Sequence, residues 1–440
     1  MTSLLAPDGL AAALAADPGP RRTTLPNGLT VLSEHVPRVR SVALGAFVRA
    51  GSLHEPRERM GVSHLLEHMV FKGTPTRTAR QLSFELETLG GSLDAYTTRE
   101  YTSYQARVLA EHLGVAADVI GDLVFRPLLH DEDLALERNV ILEEIGMVDD
   151  TPDDLVFERH NALLWGEHPY GYSILGTRET VQALTTGDLR ALHARAYHPA
   201  HIVVAAAGAV EHDALVDALL EAGWGDERPG DPAPLPLVPP VPCPPAHAHV
   251  ADRALTQTHV VVGSAAPPHA DDRRDAIALV SLVLGGGMSS RLFQTVREEL
   301  GLAYSVHTFQ SAHVDGGTHG VYLATAPGTA AQAYDAVRRE LARLTADGLP
   351  DGELAAAKRQ LRGQVTLAAD GVTNAMYRAA GLVLYDEPYR PLDEVLARID
   401  AVTGDEVRAV CREFFDPDRQ TVLSLGPRAV AAKKPSRSRR

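Results

Sequence analysis

The segment HLLEHMVFKGT, from His64 to Thr74, places two histidines four residues apart with a glutamate before the second. On an α-helix, residues i and i+4 project from one face, so His64 and His68 can contact one ion. Glu67 lies beside them, and burying all three polar groups among apolar neighbours without partners would cost several kcal/mol. The spacing H-x-x-E-H reverses the H-E-x-x-H zinc motif and indicates a zinc site. A polar helix face with two ordinary histidines is the alternative.

A catalytic zinc ion usually has three protein ligands and one open position, so a third ligand is expected elsewhere. The segment DEDLALERNVILEEIGMV, which begins at Asp131, offers Glu137, Glu143 and Glu144. Glu137 and Glu144 are seven residues apart and share a helix face to within about 20°. We expect one of these two to be a ligand and the other to support the site, whereas Glu143 fits a solvated acidic face.

The chain contains a sequence repeat. The segment DLALERNVILEE, which begins at Asp133, matches ELAAAKRQLRGQ 220 residues later, and several other segments match at nearly the same offset. In the second copy, Ala357 replaces Glu137 and Gln364 replaces Glu144, and the segment that answers HLLEH has no histidine. The candidate ligands are lost together while the scaffold pattern persists, which indicates that they act as a set.

The periodicity within each copy predicts an α+β fold of two duplicated domains, each a mostly antiparallel sheet packed with helices. We predict a catalytic domain over residues 20–225, a proline-rich linker over 226–248 and a second domain without zinc over 249–428. Residues 429–440 form a basic tail, for which disorder is the simplest interpretation.

Composition limits the possible partners and location. The 440 residues carry a formal net charge of −15, which argues against a nucleic-acid partner. No apolar run approaches the roughly 18 residues of a membrane span, and the first residues lack a basic signal-peptide region. Two cysteines provide no disulfide framework. We therefore expect a cytoplasmic protein that does not insert into membranes.

Three segments together resemble the M16 (pitrilysin) metallopeptidase family, in its half-length branch of mitochondrial processing peptidase subunits and bacterial homologues. They are GVSHLLEHMVFKGT, GGSLDAYTTREYTSY and RLFQTVREELGLAYSV, and the resemblance runs from Leu25 to about Leu425. It implies a LuxS-like metallohydrolase fold in the form of a half clamshell.

The resemblance also implies roles for individual residues. His64, His68 and Glu144 would bind one zinc ion per chain, Glu67 would be the base and Glu137 would support the site. In the second domain, Arg297 and Tyr304 would be the substrate-contacting pair. Tyr304 would donate a hydrogen bond to the developing oxyanion, and Arg297 would hold a substrate carbonyl or Tyr304 itself. A surface charge and a half-buried strand aromatic are the alternatives for these two residues.

A substrate peptide could add a strand to the sheet near Leu93–Tyr96, which includes Asp94 and Ala95. An interior strand is the alternative. The family usually has asparagine where Asp94 stands, and an ionised aspartate cannot donate a hydrogen bond, so substrate preference is open at this position. Phe71 is more often a core residue, but the resemblance makes it a candidate wall of a side-chain pocket.

The predicted function is that of a zinc-dependent endopeptidase acting on peptides or unfolded polypeptide. Alternatives are the competent subunit of a heterodimeric processing peptidase, a peptide-binding or assembly subunit, and a zinc hydrolase that is not a peptidase. Full-length family members carry four such domains in one chain, so the resemblance implies a dimer, most simply a homodimer.

Overall fold

The structure, a computed structural model, describes residues 19–226, 234–235 and 237–430. Eleven strands in this part of the chain form two sheets. The strands are β1 Arg21–Thr24, β2 Thr30–His35, β3 Ser41–Val48, β4 Ser92–Thr97, β5 Thr102–Leu109, β6 Ile202–Gly208, β7 His247–Ala251, β8 Thr258–Ala266, β9 Ala303–Ala312, β10 Gly317–Thr325 and β11 Thr421–Gly426.

The two sheets have the same topology. The first has the order β1-β2-β6-β3-β5-β4 and the second has the order β7-β11-β8-β10-β9, so the second lacks only a counterpart of β1. In each sheet one pair is parallel, β2 with β6 and β7 with β11, and the other pairs are antiparallel. The predicted α+β fold, with two copies of a mostly antiparallel sheet, is confirmed.

Fourteen α-helices cover the sheets in the described residues. They are α1 Val62–Val70, α2 Ala79–Glu87, α3 Leu113–Phe125, α4 Asp131–Asp149, α5 Pro152–Trp165, α6 Arg178–Ala183, α7 Thr186–Ala196, α8 His212–Glu221, α9 Arg274–Gly285, α10 Ala330–Asp347, α11 Asp351–Ala369, α12 Val372–Leu384, α13 Leu392–Ala401 and α14 Gly404–Phe414. Short 3₁₀ turns lie at Ser52–His54, Arg57–Arg59, Ala110–His112, Pro169–Gly171 and Pro199–His201, and a π-helix lies at Phe293–Glu299.

Each copy gives one helix to the sheet of the other copy. Helix α5 of the first copy buries Val156 against Val261 and Leu423 of the second sheet. Helix α12 of the second copy buries Met376 against Phe47 of the first sheet. These helices begin 220 residues apart, at Pro152 and Val372, so they occupy equivalent places in the repeat. The exchange places an apolar core between the copies in addition to the core of each copy.

A proline-rich segment joins the two sheets, and its extended conformation stays a prediction. Its described residues from 234 to 246 contain no helix or strand, and most are exposed. The Cys243 backbone N–H donates a hydrogen bond to the Leu164 carbonyl oxygen at 2.7 Å, which connects the segment to α5. Strand β7 begins at His247, two residues before the predicted start of the second domain at residue 249. The other domain limits stay predictions, and the predicted tail lies outside the described residues beyond position 430.

No helix in the described part of the chain combines the length and the apolar character that crossing a membrane requires.

Candidate metal centre

Helix α1 is held in the core of the first copy by its apolar side chains. Leu65, Leu66, Met69 and Val70 are fully buried. Gly61 has a φ of +88°, a left-handed conformation, and the helix begins after it at Val62. Burial of the apolar face fixes how far the helix can rotate about its axis, and this orients its polar residues.

The structure brings His64, His68 and Glu144 together. One ligand atom from each lies within 4.8 Å of the other two. Nε2 of His64 lies 3.7 Å from Oε2 of Glu144, and Nε2 of His68 lies 3.7 Å from Oε1 of the same carboxylate. These distances are too long for hydrogen bonds, so the three groups surround a common point without binding one another.

The three residues fit a zinc ion. Two imidazoles and a carboxylate are a ligand set that catalytic zinc sites use. Oε2 of Glu144 is buried and has no hydrogen-bond partner, which leaves it available as a ligand. Burial lowers the pKa of His64 to about 3, so its imidazole is neutral and able to bind a metal at physiological pH.

Glu137, on the same face of α4 as Glu144, contacts His68. Its Oε2 lies 3.0 Å from Nδ1 of His68, an arrangement that turns the other nitrogen of the ring towards Glu144. The other oxygen of Glu137 forms an ion pair with Lys72, one turn beyond His68. The supporting role of Glu137 stays a prediction, and its contact with His68 is the one that such a role requires. Lys72 was not among the predicted site residues, although its spacing of four from His68 is a signal that the sequence contains.

Glu67 is oriented by a strand rather than by its own helix. Thr97, at the end of β4, donates a hydrogen bond from Oγ1 to Oε2 of Glu67 at 2.6 Å. Burial raises the pKa of Glu67, and the Thr97 hydrogen bond opposes that rise. Nothing in the sequence pattern pointed to Thr97, because its contact with Glu67 spans thirty residues of chain.

A cavity of about 590 Å³ opens onto these side chains. It is lined by His64, Glu67, His68, Ala95, Tyr96, Thr97, Glu144, Val148, Asp154, Phe157, Glu158, Ser173, Ile174 and Leu175. Strand β4 forms one wall, and in the described chain β4 is the outermost strand of its sheet. An edge strand therefore borders the candidate metal centre, and of the two alternatives left open by the sequence, an edge or an interior strand, the structure has the edge strand.

The predicted substrate-contacting residues of the first copy lie in different places. Ala95 lines the cavity, whereas Asp94 is exposed on the same strand. Phe71 is half-buried and packs on the core, with its ring centroid 6.4 Å from that of Tyr104. It is not among the residues that line the cavity, so its role in a side-chain pocket stays a prediction.

Arg297 and Tyr304 contact one another. The Arg297 guanidinium lies 4.8 Å from the centre of the Tyr304 ring and 4.6 Å from that of Phe293, in cation–π geometry. Tyr304 is 77% exposed and lines a second cavity of about 430 Å³ together with Asp154 and Phe157 of α5. Since Asp154 and Phe157 also line the metal cavity, the two cavities adjoin within one chain.

Comparison with known proteins gives two family matches. The profile described as Insulinase (Peptidase family M16) matches residues 30–178, and that described as Peptidase M16 inactive domain matches residues 183–361. Two solved structures share the fold. A protease from Helicobacter pylori has a TM-score of 0.87 at 20% identity, covering 93% of this chain and 99% of that one. A Pseudomonas fluorescens protein described as a peptidase M16 inactive domain has a TM-score of 0.86 at 22% identity, covering 95% and 99%.

Relatives are similar along nearly their whole length. An uncharacterized zinc protease of Streptomyces coelicolor is 39% identical over 411 residues, 92% of this chain and 89% of that protein. Proteins with the same description from Mycobacterium tuberculosis H37Rv and Bacillus subtilis are 38% and 35% identical, covering 98% and 92% of this chain and 97% of each relative. With both profiles matched and with relatives of this identity, the chain belongs to peptidase family M16, in its half-length bacterial branch of zinc proteases.

Proposed function

We propose that this protein is a zinc-dependent endopeptidase that cleaves peptides or unfolded polypeptide segments. The observation that carries the proposal is the convergence of His64, His68 and Glu144 beside Glu67, in a cavity bordered by an edge strand. His64, His68 and Glu144 would hold one zinc ion per chain. Zinc supplies Lewis acidity towards water and towards a peptide carbonyl when it is bound.

Glu67 performs the proton transfers in this proposal. Thr97 holds Oε2 of Glu67, which leaves the other carboxylate oxygen to accept a proton from the attacking water. The same group then returns the proton to the leaving amine. Burial raises the pKa of Glu67, and this brings the carboxyl closer to the neutral range in which one group can both take up and release a proton.

Strand β4 positions the substrate. An extended peptide can pair with the free edge of β4 through main-chain hydrogen bonds, which do not depend on side-chain identity. Ala95 and Tyr96 lie where this edge meets the cavity. Folded proteins do not present an unpaired extended strand of this kind, so the substrate is a short peptide or an unfolded segment.

The Arg297 and Tyr304 pair would act from the second copy. The exposed Tyr304 side chain is free to donate a hydrogen bond towards substrate, and Arg297 packs over its ring and limits the positions it can adopt. Because their cavity adjoins the metal cavity through Asp154 and Phe157, one chain can supply both parts of a site.

The experiment that tests the proposed function is hydrolysis of a panel of quenched peptides, with and without a zinc chelator. We expect cleavage that the chelator abolishes and added zinc restores. Binding of peptides without cleavage would favour an assembly subunit instead. Hydrolysis of other substrates with no peptide cleavage would favour a zinc hydrolase of another class.

We further propose a homodimer, which would rebuild the four domains of a full-length family member. Mixing Glu67→Gln chains with Tyr304→Phe chains under exchange conditions distinguishes how its sites are built. If each site lies within one chain, every site carries a lesion and activity stays low. Recovery of activity would show sites shared across chains, and a strictly monomeric active enzyme in light scattering would refute the dimer.

A further inference from the structure

Helix α1 begins without a capping side chain of its own. Its N-cap residue is Gly61, which has no side chain to accept a hydrogen bond from the first turn. Glu55 provides this function from outside the helix. Its Oε2 accepts a hydrogen bond from the Gly61 backbone N–H, and its Oε1 accepts one from the Ser63 N–H, both at 2.8 Å. One carboxylate thus satisfies two of the N–H groups that a helix start leaves unpaired.

Glu55 makes these contacts from inside the protein, where only 4% of the residue is exposed. Burial raises its pKa to about 7, and the backbone N–H groups of Ser63 and Gly61 oppose the rise. Burying a carboxylate is unfavourable unless hydrogen bonds compensate it, so the contacts of Glu55 with α1 are the reason it is tolerated there. Its position at the positive end of the helix dipole adds to that compensation.

The segment that carries Glu55 also contacts the edge-strand hairpin. The Ser52 and Leu53 N–H groups donate to the carbonyl oxygens of Thr98 and Arg99, at 3.2 and 2.7 Å. Thr98 and Arg99 lie in the turn that follows β4. The segment is therefore bonded to the β4–β5 turn at one end and to the start of α1 at the other.

The start of α1 is also packed tightly against the cavity wall. A Cβ atom on Gly61 would lie 2.5 Å from the Leu175 carbonyl oxygen, and one on Gly176 would lie 2.4 Å from the Met60 carbonyl oxygen. Leu175 lines the metal cavity. Movement of the helix start would therefore displace the cavity wall at Leu175 as well as the proposed ligand His64.

We propose that Glu55 is a positioning residue of the metal centre, whose carboxylate fixes the first turn of α1 relative to the β4–β5 turn and so directs His64 towards Glu144. The inference rests on the proposed zinc site. It separates two tasks in the first copy: His64, His68 and Glu144 bind the ion, and Glu55 sets the position of the helix that carries two of them.

The test is the zinc affinity of Glu55→Gln, measured on metal-free protein by competition with a chromophoric chelator. Glutamine keeps the volume of glutamate, but its NH₂ group is a donor and cannot accept a hydrogen bond from a backbone N–H. We expect affinity to fall by about 10- to 100-fold, the usual effect of removing a group that orients ligands. Substituted Co²⁺ should also show an altered absorption spectrum. Glu340→Gln is the matched control, because Glu340 is similarly buried, at 3% exposure, in the second copy.

The outcomes are distinguishable. Wild-type protein that binds no zinc would refute the proposed function, whatever Glu55 does. Wild-type zinc binding together with an unchanged affinity and Co²⁺ spectrum in Glu55→Gln would overturn the positioning role. If that variant does not fold, Glu55→Asp replaces it, since aspartate keeps the charge but is one methylene too short to reach both N–H groups. We expect weaker zinc binding there too, and wild-type affinity would overturn the inference.

Discussion

Glu67 differs from the three proposed ligands in what it contacts. Its carboxylate is bonded to Thr97 and lies beside the point that His64, His68 and Glu144 surround. Removing its charge should therefore leave the ligands in place and remove only the proton acceptor.

We predict that Glu67→Gln lowers turnover of a quenched peptide by about 10²- to 10⁴-fold, the usual contribution of a positioned general base. Zinc content should stay at the wild-type level. Glu143→Gln is the matched control, because Glu143 is the exposed glutamate next to Glu144. Activity of Glu67→Gln within a few-fold of that of the control would show that Glu67 is not the base.

For single residues, the spacing along one helix predicted which side chains lie together. The sequence did not predict contacts between different elements. The i, i+4 spacing of His64 and His68 and the shared face of Glu137 and Glu144 correspond to the observed geometry. Thr97 and Glu55 act on α1 from other elements. Only the fold shows that β4 ends beside Glu67. Likewise, only the fold shows that the Glu55 carboxylate, six residues before Gly61, accepts a hydrogen bond from the Gly61 N–H.

Strand β4 is the element that the proposed mechanism depends on most. It is the outermost strand of the first sheet in the described chain, and three of its residues, Ala95, Tyr96 and Thr97, line the metal cavity. Strand addition has a signature that side-chain recognition lacks. Along an extended peptide, alternate backbone N–H groups point towards the partner strand.

We predict that N-methylation of a peptide substrate inhibits hydrolysis at every second position on the side of the scissile bond that pairs with β4. Methylation removes a main-chain donor and blocks close approach of the strands, while the side chains stay the same. The measurement is kcat/KM for a series of peptides, each methylated at one position. A uniform effect, or one that follows side-chain identity, would contradict strand addition.

The strands and helices themselves were largely predictable, but their partners were not. The periodicity predicted a mostly antiparallel sheet packed with helices in each copy, and the structure has one in each. The exchange of α5 and α12 between the copies had no such signal. An apolar face shows that a helix is buried, but it does not specify which sheet the helix covers.

At the scale of the whole molecule, the buried histidines decide how stability depends on pH. Burial lowers the pKa to about 4 in His54, His160 and His319 and to about 3 in His313. Eleven histidines of the described chain have lowered pKa values, whereas four glutamates have raised pKa values. The histidines are 54, 64, 160, 201, 212, 247, 259, 269, 307, 313 and 319, and the glutamates are 55, 67, 100 and 158.

We predict that the free energy of unfolding of metal-free protein falls by several kcal/mol between pH 7 and pH 5. Below pH 6.5 the unfolded histidines take up protons that the folded ones do not, which favours unfolding. For a histidine whose folded pKa is about 4, lowering the pH from 6.5 to 5 removes about 2 kcal/mol of stability. The glutamates act in the opposite direction but are fewer. Urea unfolding at the two pH values is the measurement, and equal stability would contradict this account of the buried histidines.

The proposed function requires that His64, His68 and Glu144 bind one zinc ion while Glu67 does not. Zinc per chain, measured by elemental analysis in wild-type, Glu67→Gln and Glu144→Gln proteins purified side by side, tests it most directly. We predict about one zinc in wild-type and Glu67→Gln protein, the ratio of a single three-ligand site, and a much lower content in Glu144→Gln. Active wild-type enzyme without zinc, or loss of zinc in Glu67→Gln but not in Glu144→Gln, would contradict the claim.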